Sequence, residues 1–174
     1  NKEKIITRII IKILSFNSKI PSNIIYNSTI GQKQHYNFGF YNKKASFIPN
    51  GFEISNIKNQ YNTSLKKKLK INTDYFIVGS FCRYHKMKGI EFLIDSFHDI
   101  LKINNKIFLI IIGDNVPFNM KNYVERKKIP NKNYLLLDHQ KDIYQYYNIV
   151  DLFVVTSLWG EGFSNVLGEA MNNS

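Results

Sequence analysis

From Asp74 onward the chain alternates between two kinds of apolar pattern, and that alternation limits its fold more than any other feature. Tyr75 to Cys82 (YFIVGSFC), Lys106 to Ile112 (KIFLIII), Tyr134 to Leu137 and Leu152 to Thr156 are short apolar runs. Their β-branched and aromatic content marks strands buried on both faces. Gly89 to Leu101 carries apolar residues at helical spacing, and Met120 to Lys128 and Ile143 to Val150 also read as helices. Strands alternating with helices predict an α/β fold: a doubly wound, Rossmann-like parallel sheet with right-handed crossovers and helices on both faces.

In such a sheet a ligand sits beyond the carboxyl ends of the strands. Arg83 and Lys88 follow the first strand, Gly113 and Asp114 the second, Asp138 and His139 the third, and the turn from Gly160 to Asn165 the fourth. These groups are therefore expected on one edge. The last turn, with Ser164 as N-cap of a helix from Asn165, turns backbone N–H groups and a positive helix end toward one point, which suits phosphate. Two cations beside it suit a diphosphate. Glu161 and Glu169 flank the turn and can accept hydrogen bonds from sugar or ribose hydroxyls. They also fit as charges that complement the helix dipole. Trp159 either lines a sugar pocket or packs the turn, and Cys82 reads as a small buried residue with no base to activate it.

The N-terminal part is patterned differently. Residues 4–16 place Lys4, Arg8 and Lys12 four apart with isoleucines between, an amphipathic helix that packs on its own domain or lies on a membrane surface. It is too short and too charged to span a bilayer. A strand over 23–27, a helix from Thr29 to Phe40 and a strand over 45–48 follow, and residues 62–69 read as a connecting helix. The domains are expected at 1–52 and 74–174, joined by a linker over 53–73. One cysteine excludes a disulfide framework. The net charge of +11 comes mainly from lysines scattered among Asn, Ile and Tyr, so it reads as compositional bias, with Lys66, Lys67 and Lys68 as a solvated helix end.

Five segments carry a family resemblance: IPNGFE (48–53), GSFCRYHKMKGIEFLIDSF (79–97), LIIIGD (109–114), DIYQYYNIVDLFVVTS (142–157) and EGFSNVLGEAM (161–171). Their order and spacing resemble the family-four retaining glycosyltransferases of GT-B fold. The resemblance implies a donor-binding C-terminal domain preceded by the last elements of an acceptor-side domain. It implies transfer of a sugar from a nucleotide-sugar to a saccharide or lipid-linked acceptor, in polysaccharide, lipopolysaccharide or glycolipid biosynthesis. Arg83 and Lys88 would hold the diphosphate and stabilise it as it leaves. Glu161 would face the donor sugar. Gly162, Phe163, Ser164, Asn165 and Val166 would meet the sugar and phosphates, Glu169 the ribose, and Asp138 to Asp142 the base. The family often has Gly where Asp138 stands.

No Asp-x-Asp occurs and His35, His85, His98 and His139 show no ligand spacing, so no metal and no cofactor are expected. The expected location is cytoplasmic, with peripheral contact at the cytoplasmic membrane face as the use of the first helix. Residues 1–50 match only the end of an acceptor domain, and the chain is expected to be an inactive fragment. A nucleotide-sugar epimerase of similar fold and a basic nucleic-acid-binding module are the alternatives. Nucleic acid is not the expected partner, since no recognisable motif accompanies the charge.

Overall fold

The computed structural model describes residues 2–52 and 62–173, so the expected start of the linker at residue 53 lies outside the described residues. The chain divides into two compact units. One holds residues up to Gly51 together with Glu161–Ser164, and the other runs from Phe52 to Gly160 and resumes at Asn165.

The first unit contains α1 (Lys2–Asn17), β1 (Ile24–Tyr26), α2 (Thr29–Asn37) and β2 (Ala45–Phe47). β1 and β2 pair in parallel with Ile24 opposite Ala45. Ser28 starts α2 as a true N-cap: its backbone is extended and its hydroxyl accepts from the Gly31 amide at 3.0 Å. The buried Ser18 hydroxyl accepts from the Tyr41 amide at 2.9 Å and so ties the end of α1 to the segment before β2. Packing of α1 on its own unit is partial: Leu14 lines a cavity with Ile24, Tyr26 and Phe40, while Ile5, Ile6, Ile9, Ile10, Ile13 and Leu14 all stay about half exposed.

The second unit contains α3 (Asn62–Lys68), β3 (Phe76–Phe81), α4 (Ile90–Leu101), β4 (Ile107–Ile112), α5 (Val116–Arg126), β5 (Tyr134–Leu137), α6 (Tyr144–Tyr147), β6 (Leu152–Phe153) and α7 (Asn165–Asn172). Its strands form one parallel sheet in the order β5-β4-β3-β6. Side chains alternate across a strand, so the run in β4 feeds two cores at once. Ile107, Leu109 and Ile111 join Ile90, Ile94, Phe97, Val116 and Met120 on the face covered by α4 and α5. Phe108, Ile110 and Ile112 join Leu65, Ile77, Phe81, Tyr146, Tyr147 and Ile149 on the other. The helix expected to be a connector thus belongs to this core: Leu65 of α3 is buried, while Lys66, Lys67 and Lys68 occupy its last turn, where cations complement the dipole.

Three boundaries differ from expectation. α5 begins at Val116, four residues before Met120, because Pro117 sits in its first turn, where the missing N–H costs nothing. α6 ends at Tyr147, and the following residues close as i→i+3 turns, Ile149 N to Tyr146 O and Val150 N to Tyr147 O, both at 3.2 Å. β6 covers Leu152–Phe153 only. Val154 N still reaches Gly79 O at 2.8 Å, after which the chain leaves the sheet. The buried fourth strand expected over 152–156 is therefore a short edge, with Leu152 49% exposed.

Candidate functional site

The strand order places the topological switch point between β3 and β6. The connections after β3 run toward β4 and β5, while the chain returns to the opposite side of β3 to make β6. Loops leaving the carboxyl ends of these two strands diverge there and open a crevice. The crevice is small and is lined by Ser80, Phe81, Cys82, Lys88, Val155, Thr156, Ser157 and Val166.

Its two sides are stitched together by hydrogen bonds to backbone carbonyls. After Arg83 the chain makes a single 3₁₀ turn, Lys86–Lys88, whose start is capped by His85: the Met87 amide donates to its Nδ1 at 3.1 Å. The Thr156 hydroxyl donates to Lys88 O at 2.8 Å, and the Leu158 amide donates to Met87 O at 2.7 Å. Gly89 then opens α4 with φ +62°, and a Cβ there would collide with Thr156 O. Only glycine tolerates both the left-handed backbone and that approach. Gly160 rests against Met87, with the sulfur 2.6 Å from where a Cβ would lie. Lys88 is thus fixed at its backbone beside the start of α4 and beside the segment that leaves β6. Arg83 is exposed and its side chain makes no hydrogen bond or ion pair with the described residues.

A sequence comparison supplies the family. The profile described as "Glycosyl transferases group 1" matches residues 62–174. The chain belongs to that family. This group 1 glycosyltransferase chain is 30% identical over 125 residues to the capsular polysaccharide biosynthesis glycosyltransferase CapM of Staphylococcus aureus, covering 70% of this chain and 32% of that protein. It is 27% identical over 142 residues to the lipopolysaccharide 1,2-N-acetylglucosaminetransferase of Salmonella typhimurium, covering 73% and 36%. Anabaena HepE, solved in complex with UDP and glucose, superposes with a TM-score of 0.83 at 26% identity, covering 95% of this chain and 46% of HepE. The chain spans about a third of the curated relatives it matches. The structural neighbours are GT-B glycosyltransferases, in agreement with the expected fold.

The sequence-derived site residues of this family member fall into two groups. Arg83, Lys88, Gly113, Asp114, Asn165, Val166 and Glu169 lie in the second unit, and Glu161, Gly162, Phe163 and Ser164 in the first. Gly113 has a packing role: a Cβ on it would strike the Cys82 carbonyl group and come within 2.8 Å of the Arg83 amide. Asp114 O accepts from the Tyr84 amide at 2.9 Å, so the loops after β3 and β4 hold each other. Asp138, the departure from the family pattern, accepts from the Asn115 amide at 3.0 Å and closes the entry to α5. Gly162 lies against Ser28, with its would-be Cβ 3.6 Å from the serine hydroxyl.

Ser164 corrects an expectation. Capping requires its hydroxyl to accept from an amide in the first helical turn, but this buried hydroxyl has no hydrogen-bond partner among the described residues. Glu169 is held instead by a residue that the sequence reading passed over. The Tyr147 hydroxyl donates to Glu169 Oε2 at 2.9 Å and lies 3.2 Å from Val166 O. Burial, and then the bond to Glu169, pushes the Tyr147 phenol well up from its ordinary value, so it remains a protonated donor. Met87, Thr156 and Leu158 were also missed, since backbone partners 68 residues or more apart leave no local signature. Among the described residues no three His, Cys, Asp or Glu side chains gather as metal ligands, and no helix is long and apolar enough to cross a membrane.

Proposed function

We propose that this chain forms the donor-binding part of an enzyme that moves a sugar from a nucleotide-sugar to a saccharide or lipid-linked acceptor, with retention of anomeric configuration. The observation that carries the reading is the stitched switch point, where Lys88 lines the crevice at the ends of β3 and β6 and α4 begins just after Gly89. A diphosphate there meets a lysine, the exposed Arg83 and helix N–H groups. As the glycosidic bond to the diphosphate breaks, negative charge grows on the leaving oxygen while the sugar becomes oxocarbenium-like. Arg83, Lys88 and the helix start stabilise that charge, with no metal in the reading. Glu161 orients the donor sugar through its hydroxyls, and Glu169 accepts from the ribose.

The activities of the two bacterial relatives support an acceptor in a cell-surface polysaccharide or lipopolysaccharide, and HepE's bound UDP supports a uridine nucleotide. In this reading the enzyme works at the cytoplasmic membrane face. Thermal melting of the full-length protein against UDP, GDP and ADP tests it. One nucleotide should raise Tm by about 5 °C or more at a hundredfold excess over Kd. Lys88→Ala should cut transfer about a hundredfold or more. Absence of any nucleotide shift, or a Lys88→Ala variant with ordinary transfer, overturns it. Conversion of the donor without transfer would favour the epimerase.

A further inference from the structure

We propose that Tyr147 is a positioning residue for the nucleotide site: its buried hydroxyl fixes Glu169 so that the second carboxylate oxygen faces the ligand ribose. This rests on the assignment of Glu169 to the ribose made above.

Three observations point to it. Tyr147 is only 5% exposed, and its ring is set edge-on against Phe81 with centroids 4.7 Å apart and tilted against Phe153 at 5.2 Å. A phenylalanine would fill that space equally well, so packing alone gives no reason for a hydroxyl. A buried hydroxyl is costly unless it is bonded, and among the described residues its partners all lie on α7, at Glu169 Oε2 and Val166 O. Glutamate is also a long side chain with many rotamers, which a bond to a rigid aromatic ring reduces to one family. Fixing Oε2 leaves Oε1 to accept from a ligand, and a preset acceptor binds more tightly than one that must be ordered on binding. Val166 lines the crevice at the switch point, so the same phenol also steadies the wall of that crevice.

The test uses the full-length protein and whichever of UDP, GDP and ADP it binds most tightly, compared with the 2′,3′-dideoxy analogue of the same nucleotide. The ratio of the two affinities reads the ribose contact alone. Wild type should favour the ribo form, and Glu169→Ala should abolish the preference. Tyr147→Phe should reduce it about threefold to tenfold, the scale of one hydrogen bond, with dideoxy binding unchanged. In the Glu169→Ala background, Tyr147→Phe should change neither affinity. A Tyr147→Phe variant with the wild-type ratio, or one that weakens both nucleotides equally, overturns the inference while the ribose assignment stands. A Glu169→Ala variant that keeps the preference sinks the ribose assignment itself. Should Tyr147→Phe fail to fold, Glu169→Asp serves instead: it keeps the charge but draws it back from the phenol. It should lose the preference to a similar degree, and an unaltered ratio would overturn the inference.

Discussion

Gly113 gives the sharpest test of how the rim of the sheet is built. Replacing it with alanine directs a methyl at the Cys82 carbonyl, which is backbone just past the end of β3 and cannot rotate away. Three hydrogen bonds surround the position: Cys82 N to Ile112 O at 2.8 Å, Gly113 N to Leu137 O at 3.0 Å and Tyr84 N to Asp114 O at 2.9 Å. Relieving the clash means spreading the ends of β3 and β4, which breaks one or two of these. A lost bond that leaves a buried group unsatisfied costs about 1 to 3 kcal/mol. Alanine recovers about 0.4 to 1 kcal/mol by restricting the unfolded chain. With two bonds lost at about 2 kcal/mol each, the net loss is about 3 kcal/mol, a large part of the roughly 5 to 15 kcal/mol that holds a domain together. Urea unfolding should show the midpoint falling by about 1 to 2 M with m unchanged, for m near 2 kcal/mol per M.

Gly79 provides the contrast. A Cβ there meets Val150 Cγ2 at 2.5 Å and Cγ1 at 3.0 Å, which is side chain. Gly79→Ala should cost about 1 to 3 kcal/mol by overpacking, and Val150→Ala should restore much of it. Cys82→Ala should restore nothing to Gly113→Ala, because the obstruction lies in the backbone. A Gly113→Ala loss below about 0.5 kcal/mol, or rescue by Cys82→Ala, would refute the reasoning.

Other changes should give equally definite results. Leu109, fully buried on the central strand, should cost about 2 to 5 kcal/mol as alanine, read in the same unfolding assay. Asp151 Oδ2 accepts from the buried Ile77 amide at 2.7 Å while the Asp151 amide donates to Ile77 O at 2.9 Å, so Asp151→Ala should cost about 1 to 3 kcal/mol by orphaning the first bond. Asp95 is held below the ordinary carboxylate range, first by its hydrogen bond from Lys127 and also by that from Tyr123. A depressed native pKa adds stability above the unfolded value of 3.8, and that stability is lost as pH falls through the native pKa. Asp95→Asn should flatten this part of an acid titration of stability, and an unchanged profile would contradict the pairing.

The fold was legible where burial is two-sided. The runs in β3 and β4 are apolar at nearly every position because helices cover both faces, and their short length and β-branched content set them apart from a buried helix. Edges and entries were harder to read. Val154 and Val155 look like strand in sequence, yet among the described residues β6 pairs with β3 alone, and bonds from Thr156 and Leu158 draw the chain toward Lys86–Lys88 instead. Pro117 reads locally as a stop although it sits in the first turn of α5. Within the site, the cations and glutamates stand out by charge. Tyr147 does not, because one tyrosine among several in the aromatic stretch before β6 gives no sign that its hydroxyl reaches α7. Asp138 likewise reads as a departure in a ligand loop, and the structure shows it bound to the Asn115 amide.

The join between the Lys86–Lys88 turn and the segment from Thr156 to Gly160 bears on any attempt to re-engineer this protein. A methyl on either glycine, or a new conformation after β6, moves the lysine on the opposite bank as well. The two segments therefore amount to one interchangeable cassette. Exchanging residues 86–89 and 156–160 together with those of a relative should preserve their mutual fit, whereas grafting either alone would pair mismatched halves.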